Sequence, residues 1–256
     1  MIFAVDIGNT NIVIGVFDKD DIIFNSRLAT DYQKTTDEYA AIIMLLLKNS
    51  GIEPSNIRGV IISSVVPQLV YTFSKFARKY LYKEPLIVGP GLKTGVPIKL
   101  ENPKEVGSDR IVNAAAVIKY HRYPAIIIDF GTATTFDVIN ENGEYIGGVI
   151  CPGVKLSATI LHQKTAKLPE VEIEKCDKVV GTNTINSIKS GIFYGYLSLV
   201  DGIIERIIEE KFKNMDPCII ATGGLGSVFM GESKYIKKYD PNLTLIGLKV
   251  IYEKNA

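Results

Sequence analysis

The chain opens with a short apolar run, Ile2–Asp6 (IFAVD), that ends on an aspartate. A polar turn follows, Gly8-Asn9-Thr10-Asn11, and then a second β-rich run, Ile12–Phe17. Asp18–Asp21 form another turn and Ile22–Leu28 a third run, so β-branched segments separated by turn residues predict an antiparallel meander. Polar residues then give way to helical spacing over Asp37–Lys48, with Thr36 or Asp37 and Glu38 as the start signal. Gly59–Ser64 reads as a buried strand, Pro67–Tyr80 as a helix with proline in its first turn, and Leu86–Val88 as a short strand. The Gly- and Pro-rich stretch 89–103 predicts a loop over a surface cleft. Helical spacing returns over 105–121, with a small-residue face at Ala114, Ala115 and Ala116. Pro124–Asp129 is another buried strand ending in aspartate, and Thr134–Ile139 and Tyr145–Ile150 flank the turn Glu141-Asn142-Gly143 as a hairpin. Beyond Pro152 the pattern predicts mostly helix, with a long amphipathic stretch from about Thr184 to Lys211. A last buried strand, Cys218–Ala221, leads into the glycines at 223–226 and a further helix.

The chain echoes itself. Asp6-Ile7-Gly8-Asn9-Thr10 recurs as Asp129-Phe130-Gly131-Thr132-Ala133-Thr134, in each case after an apolar strand and before a second one. The separation, 129 − 6 = 123 residues, is close to half of 256. A duplicated α/β unit is the economical explanation. It predicts two lobes facing across a cleft, with the boundary near residue 115 (1–115 and 116–256) and the helix of 105–121 crossing between them.

Composition narrows the chemistry. At 46% hydrophobic and 22% charged, the chain has an ordinary globular make-up, and its net charge of +1 shows no basic excess of the kind a nucleic-acid or membrane surface requires. Small-molecule work is the expectation, with neither nucleic acid nor membrane as a partner. The three cysteines, Cys151, Cys176 and Cys218, form no CxxC pair, which favours small buried hydrophobes over a disulfide framework or a zinc site. Asp6, Asn9 and Asn11 interrupt the apolar N-terminus and no basic segment precedes it, so a cytoplasmic protein is expected.

A strand that delivers Asp-x-Gly-x-Thr to its carboxyl end places ligand-binding groups at the edge where α/β sheets bind ligands. Glycine lets backbone N–H groups approach an anion, and Thr and Asn side chains donate to phosphate oxygens. A carboxylate beside phosphate repels it, so the aspartate acts best through a hydrated cation. Either loop alone also reads as a plain hairpin with a capping aspartate; two at half-chain spacing favour a phosphate clamp. Ala221-Thr222-Gly223-Gly224-Leu225-Gly226 adds a glycine surface suited to a nucleobase or ribose, and no GxxxxGK[ST] or GxGxxG occurs. Gly107-Ser108-Asp109-Arg110 sits near a helix start. There an aspartate also answers the helix dipole, but beside a guanidinium it is equipped to accept a proton from a substrate hydroxyl. Arg110 is expected to depress the Asp109 pKa.

These residues resemble type III pantothenate kinase. The likeness runs through Asp6–Asn11 (DIGNTN), Arg27 and Thr30 with Thr36-Asp37-Glu38-Tyr39, Ser63–Pro67 (SSVVP), Asn102-Pro103, Gly107–Arg110 and Asp129–Thr135. It continues through Gly147–Gly153 (GGVICPG), Thr165–Val171, Asn183-Thr184 and Ala221–Gly224. The resemblance implies an α/β, two-lobed actin-like (ribonuclease H-like) fold with duplicated mixed sheets, flanking helices and a central cleft. It implies ATP-dependent phosphorylation of pantothenate to 4′-phosphopantothenate, the first step of coenzyme A synthesis. By the same resemblance, Asp6, Ile7, Gly8, Asn9, Thr10, Asn11, Ile12 and Val13 form the first phosphate loop, with Asp6 near the Mg2+ of MgATP through water. Thr132 binds ATP phosphates, and Asp129 binds a monovalent cation, potassium or ammonium. Asp109 is the general base, and Gly107, Ser108, Asp109, Arg110 and Thr184 contact pantothenate. The family works as a homodimer with the pantothenate pocket at the subunit interface. One departure stands out: Leu100 replaces the aromatic residue that often precedes the acidic-x-Pro of the substrate loop, so its contact with pantothenate is expected to be weaker or purely apolar. Another kinase or a phosphatase of the same fold, or a nucleotide-binding regulator, shares the loops; the regulator has no use for Asp109.

Overall fold

The computed structural model describes all 256 residues, Met1–Ala256. Strand β1 (Ile2–Ile7) pairs antiparallel with β2 (Asn11–Asp18), which pairs antiparallel with β3 (Asp21–Ala29). On its other side β1 runs parallel to β4 (Gly59–Ser64), and β4 runs parallel to β5 (Pro85–Ile87). The first sheet therefore has the order β3-β2-β1-β4-β5. The second sheet repeats it: β6 (Ala125–Phe130) pairs antiparallel with β7 (Ala133–Ile139), and β7 with β8 (Tyr145–Pro152). β6 runs parallel to β9 (Cys218–Thr222), which runs parallel to β10 (Lys238–Tyr239). Read as β8-β7-β6-β9-β10, it has the directions and adjacency of the first sheet. The echo of residues 6–10 at 129–134 is thus a duplicated mixed sheet, with each motif in the turn between the first two strands of its unit.

The meander, β4 and helix α2 (Pro67–Tyr80) lie where the hydrophobic pattern placed them, and β5 is one residue earlier than Leu86–Val88. Helix α1 spans Thr36–Asn49, but its cap is Thr35. The Thr35 hydroxyl accepts from the Glu38 N–H and the Glu38 carboxylate accepts from the Thr35 N–H, a reciprocal box that moves the start one residue upstream. Together α1 and α2 cover one face of the first sheet, closing a core of Phe3, Val5, Ile7, Ile14, Ile62, Tyr39, Phe73 and Phe76. In the second unit, Ile126, Ile128, Phe130 and Phe136 pack with Phe193, Val200, Ile204 and Phe229.

The two compact units are Met1–Val96 with Glu101–Tyr120 and Asn242–Ala256, and Pro97–Leu100 with His121–Pro241. The chain contacts place the division after Tyr120 rather than Ala115, and they return the last fifteen residues, Asn242–Ala256, to the first unit. Helix α3 (Ser108–Tyr120) belongs wholly to that unit, where it packs on β4 and on helix α7 (Leu243–Glu253). The alanine face expected on α3 explains the closeness: Ala114, Ala115 and Ala116 are buried, and Gly247 of α7 lies against the Val112 carbonyl. A Cβ built on Gly247 would fall 1.9 Å from that oxygen. Gly247→Ala would gain roughly 1 kcal/mol of helix propensity, but a backbone atom cannot move aside. The clash should win, costing about 2–3 kcal/mol, or roughly 5–10 °C in Tm; a thermal melt within 2 °C of the parent would refute this.

Beyond Pro152 the chain is less helical than its pattern suggests. Helix α4 spans Val154–Gln163, and no helix or strand forms again until α5 (Thr184–Lys211). Residues 164–183 contain Pro169 and Gly181 and few large apolar residues, too little to hold a helix on the core. Helix α6 after the glycine cluster is a single turn, Gly226–Phe229. No helix is long and apolar enough to cross a membrane. Of the cysteines, Cys218 is buried as expected, whereas Cys151 and Cys176 are partly exposed.

Candidate active site

In the first unit the carboxyl ends of two parallel strands lie side by side. Asp6 is opposite Ser63 and Ile7 opposite Ser64, and the Val65 N–H donates to the Ile7 carbonyl. The loop that follows β1 is tightly wound: the Gly8 N–H donates to the Asn11 carbonyl at 2.9 Å. Gly8 is partly buried, while Asn9, Thr10 and Asn11 are exposed on the solvent side of the loop, where a ligand can reach them. Ile12 is buried in the core and serves to fix the loop, and Val13 is partly buried.

The amino end of α3 is fastened to the same strand ends through Ser108. Its hydroxyl donates to the Ser64 carbonyl at 3.0 Å and accepts from the Ser63 hydroxyl at 3.0 Å and the Ser64 N–H at 3.2 Å. One donor and two acceptor sites are thereby filled. This places Ser108 as a structural pin, and it carries Gly107, Asp109 and Arg110 to the end of β4, beside the strand that bears Asp6. The candidate residues read from the sequence omit Ser63 and Ser64, although SSVVP is the segment that supplies them.

Asp109 is partly buried in the first turn of α3, and the Arg110 N–H donates to its Oδ1 at 2.9 Å. The direction of its pKa corrects the sequence expectation. Burial pushes the carboxyl up, and this outweighs the downward pull of the Arg110 N–H and guanidinium. A raised carboxylate pKa suits a proton acceptor better than a depressed one does.

In the second unit the equivalent strand end carries Asp129, which lies opposite Thr222 of β9 and Thr135 of β7. Gly223 follows β9 with φ +84°, and a Cβ there would fall 2.5 Å from Asp129 Oδ1. The Tyr239 hydroxyl holds the Gly223 carbonyl at 3.1 Å. Exposed Thr132 projects from the loop, and its carbonyl accepts from the Gly153 N–H at 3.1 Å. Gly153 immediately precedes α4 as its cap residue and abuts the Thr132 carbonyl so closely that a Cβ would come within 2.2 Å of it. Glycines 153 and 223 thus hold the Asp129–Thr132 loop from two sides.

Two predicted substrate contacts also lie in the second unit. Leu100 follows a short parallel extension of the sheet edge, where Ile98 bridges to Tyr145 and the Lys99 N–H donates to the Tyr145 carbonyl. Leu100 is within contact reach of Gly147. Thr184 is exposed at the start of α5, whose cap, Asn183, accepts from the Asn186 N–H at 2.8 Å. It lines an open pocket of about 690 Å³ with Thr182, Ser187, Leu161, Leu168, Ile188 and Ile192.

Residues 2–206 match the model of the type III pantothenate kinase family. The chain belongs to that family. A type III pantothenate kinase from Halalkalibacterium halodurans is 49% identical over 256 residues, covering all of both chains. Among solved structures, a Baf-family protein from Campylobacter jejuni, described as a transcriptional activator, aligns with a TM-score of 0.62 at 20% identity over 99% of this chain and 98% of its own. The Lmo2764 protein of Listeria monocytogenes, described as an N-acetylmannosamine kinase, aligns with a TM-score of 0.57 at 13% identity over 100% and 99%. These likenesses establish the actin-like fold, two mixed five-stranded sheets with flanking helices.

For a type III pantothenate kinase, the oxygen-rich strand ends suit hard cations. No group of three His, Cys, Asp or Glu side chains gathers anywhere in the chain. A Mg2+ ion held by Asp6 through water would draw its ligands from water and nucleotide phosphates, the coordination Mg2+ favours. Glycine at 223 keeps a side chain off the Asp129 carboxylate, since a Cβ there would also stand 2.7 Å from the Phe130 backbone.

Proposed function

We propose that this chain transfers the γ-phosphoryl group of ATP to the pantothenate hydroxyl, giving ADP and 4′-phosphopantothenate at the entry to coenzyme A synthesis. The observation that carries the reading is Asp109: a partly buried carboxylate with an upward-shifted pKa, pinned by Ser108 to the strand ends that include Asp6. The hydroxyl oxygen forms the new bond to phosphorus, the bond to the β–γ bridging oxygen breaks, and the hydroxyl proton passes to Asp109. Asp6 and the Gly8–Asn11 loop hold and orient the phosphate tail, with Thr132 as a further phosphate contact. Gly107 and Arg110 grip pantothenate, with Leu100 supplying apolar contact and Thr184 a hydroxyl. Mg2+ bound with the nucleotide supplies neutralisation of developing charge. Asp129 is the residue suited to the monovalent cation.

A homodimer is part of the same reading. Leu156, Ile160 and Ile185 are exposed on the helices that supply the Thr184 pocket, and a second copy would cover them. The cytoplasm is the compartment that suits an ATP-consuming enzyme with this substrate. An ADP-release assay decides the function. Turnover should depend on pantothenate, rise with potassium present, and be absent with sugars, acetate or polyphosphate as acceptor. ADP release indifferent to pantothenate would overturn the assignment.

A further inference from the structure

The exit of β3 crosses the back of the first phosphate loop and binds its main chain at three consecutive peptides. The Thr30 hydroxyl donates to the Gly8 carbonyl at 2.7 Å, the Tyr32 hydroxyl donates to the Asn9 carbonyl at 3.2 Å, and the Thr30 N–H donates to the Thr10 carbonyl at 3.0 Å. The strap is itself anchored. The hydroxyl of buried Tyr39 on α1 accepts from the Asp31 N–H and donates to the Asp31 carbonyl, both at 2.9 Å. The Asp31 carboxylate accepts from the Gln33 N–H at 3.0 Å and from Lys34 Nζ at 2.9 Å. The capping box at Thr35 and Glu38 fixes the helix from which Tyr39 projects.

A trans peptide points its C=O and the following N–H in opposite directions. Holding the Gly8 and Asn9 carbonyls on the strap therefore directs the N–H groups of Asn9 and Thr10 away from it. Successive N–H groups turned to one side make an anion-binding concavity, whereas a carbonyl turned the same way would repel phosphate. We propose that Thr30 and Tyr32 are positioning residues for the nucleotide: they set the peptide orientation of Gly8–Thr10 and thereby the loop's affinity for the ATP phosphate tail. This rests on the reading of Asp6–Val13 as the phosphate loop. It also gives Thr30 and the Thr36–Tyr39 segment a part in the chemistry.

The test is equilibrium binding of MgATP to the full chain without pantothenate, with adenosine as the phosphate-free control, for Thr30→Val, Thr30→Ser and Tyr32→Phe. Thr30→Val should weaken MgATP about five- to tenfold, and Tyr32→Phe about two- to threefold, as expected for one neutral hydrogen bond. Adenosine should stay within about twofold, Thr30→Ser should restore MgATP binding to within about twofold, and KM for ATP should rise while KM for pantothenate holds. MgATP binding by Thr30→Val within twofold of the parent would overturn the proposal, as would equal weakening of MgATP and adenosine. Should Thr30→Val fail to fold, Tyr32→Phe carries the test, since it removes only an exposed hydroxyl; unchanged MgATP affinity there overturns the proposal. A parent that binds MgATP through the strap but does not phosphorylate pantothenate would sink the acceptor assignment and support the strap.

Discussion

Asp109→Asn should lower kcat by about 10²–10⁴, the usual contribution of a general base, while leaving MgATP affinity within about twofold. The change keeps the shape of the side chain and the Arg110 N–H bond to Oδ1, so the ground-state complex survives while proton transfer does not. Stability should move the other way. The folded-state pKa of Asp109 is raised by burial, so folding is favoured below its ordinary pKa and loses that support as pH climbs through the raised value. Above the ordinary carboxylate range the buried acid is therefore a burden on the fold that asparagine removes. Melting curves at pH 7 should show Asp109→Asn above the parent, and the gain should vanish in acid below both pKa values. A variant with kcat within threefold of the parent would end the assignment of Asp109 as base; a lower Tm at pH 7 would refute the burial argument.

Much of the fold was legible because its signals are local. Apolar runs separated by Gly-Asn-Thr-Asn and Glu-Asn-Gly turns placed the two meanders, and the repeat of the Asp-x-Gly pattern forecast the second sheet. Helix α7 sent no such signal. Its sequence, LTLIGLKVIYE, is β-branched, interrupted by Gly247 and without a side-chain cap, so its periodicity is weak. What makes it a helix is tertiary: the alanine face of α3 and the first sheet bury it, and Gly247 permits the approach. Lys249 shows the same dependence, a nearly fully buried cation paired with Asp20 of the β2–β3 turn at 2.6 Å and with Glu253 at 3.0 Å.

The candidate site divides along the same line. Asp6, Asp109 and Asp129 announce themselves by their places at strand and helix ends. The groups that position them do not. Ser63 and Ser64 look like the end of a buried strand, yet they dock Ser108; Tyr39 looks like core, yet its hydroxyl holds the strap behind the phosphate loop. The pKa of Asp109 escapes the sequence for a related reason. Adjacency in sequence makes Arg110 conspicuous, whereas desolvation comes from the surrounding fold and outweighs it.

Gly107→Ala should cost about 10² in kcat without removing any catalytic group. A Cβ at position 107 would fall 2.5 Å from Asp109 Oδ1, and its nearest neighbour beyond that carboxylate, Val65 Cγ1, is 3.9 Å away. The obstacle is thus the free end of a flexible side chain, which can rotate aside at little cost to the fold. Oδ1 would have to retreat by on the order of 1 Å to reach ordinary van der Waals contact. It is also the oxygen held by the Arg110 N–H, so the retreat breaks the bond that aims the carboxylate. Tm should stay within about 3 °C of the parent, and MgATP binding should be unchanged, since no loop residue moves. Larger loss of stability than of activity would show that Gly107 serves the backbone. Full activity would show that the carboxylate orientation set by residue 107 does not matter to proton transfer, and the role given to Asp109 would then need a different geometry.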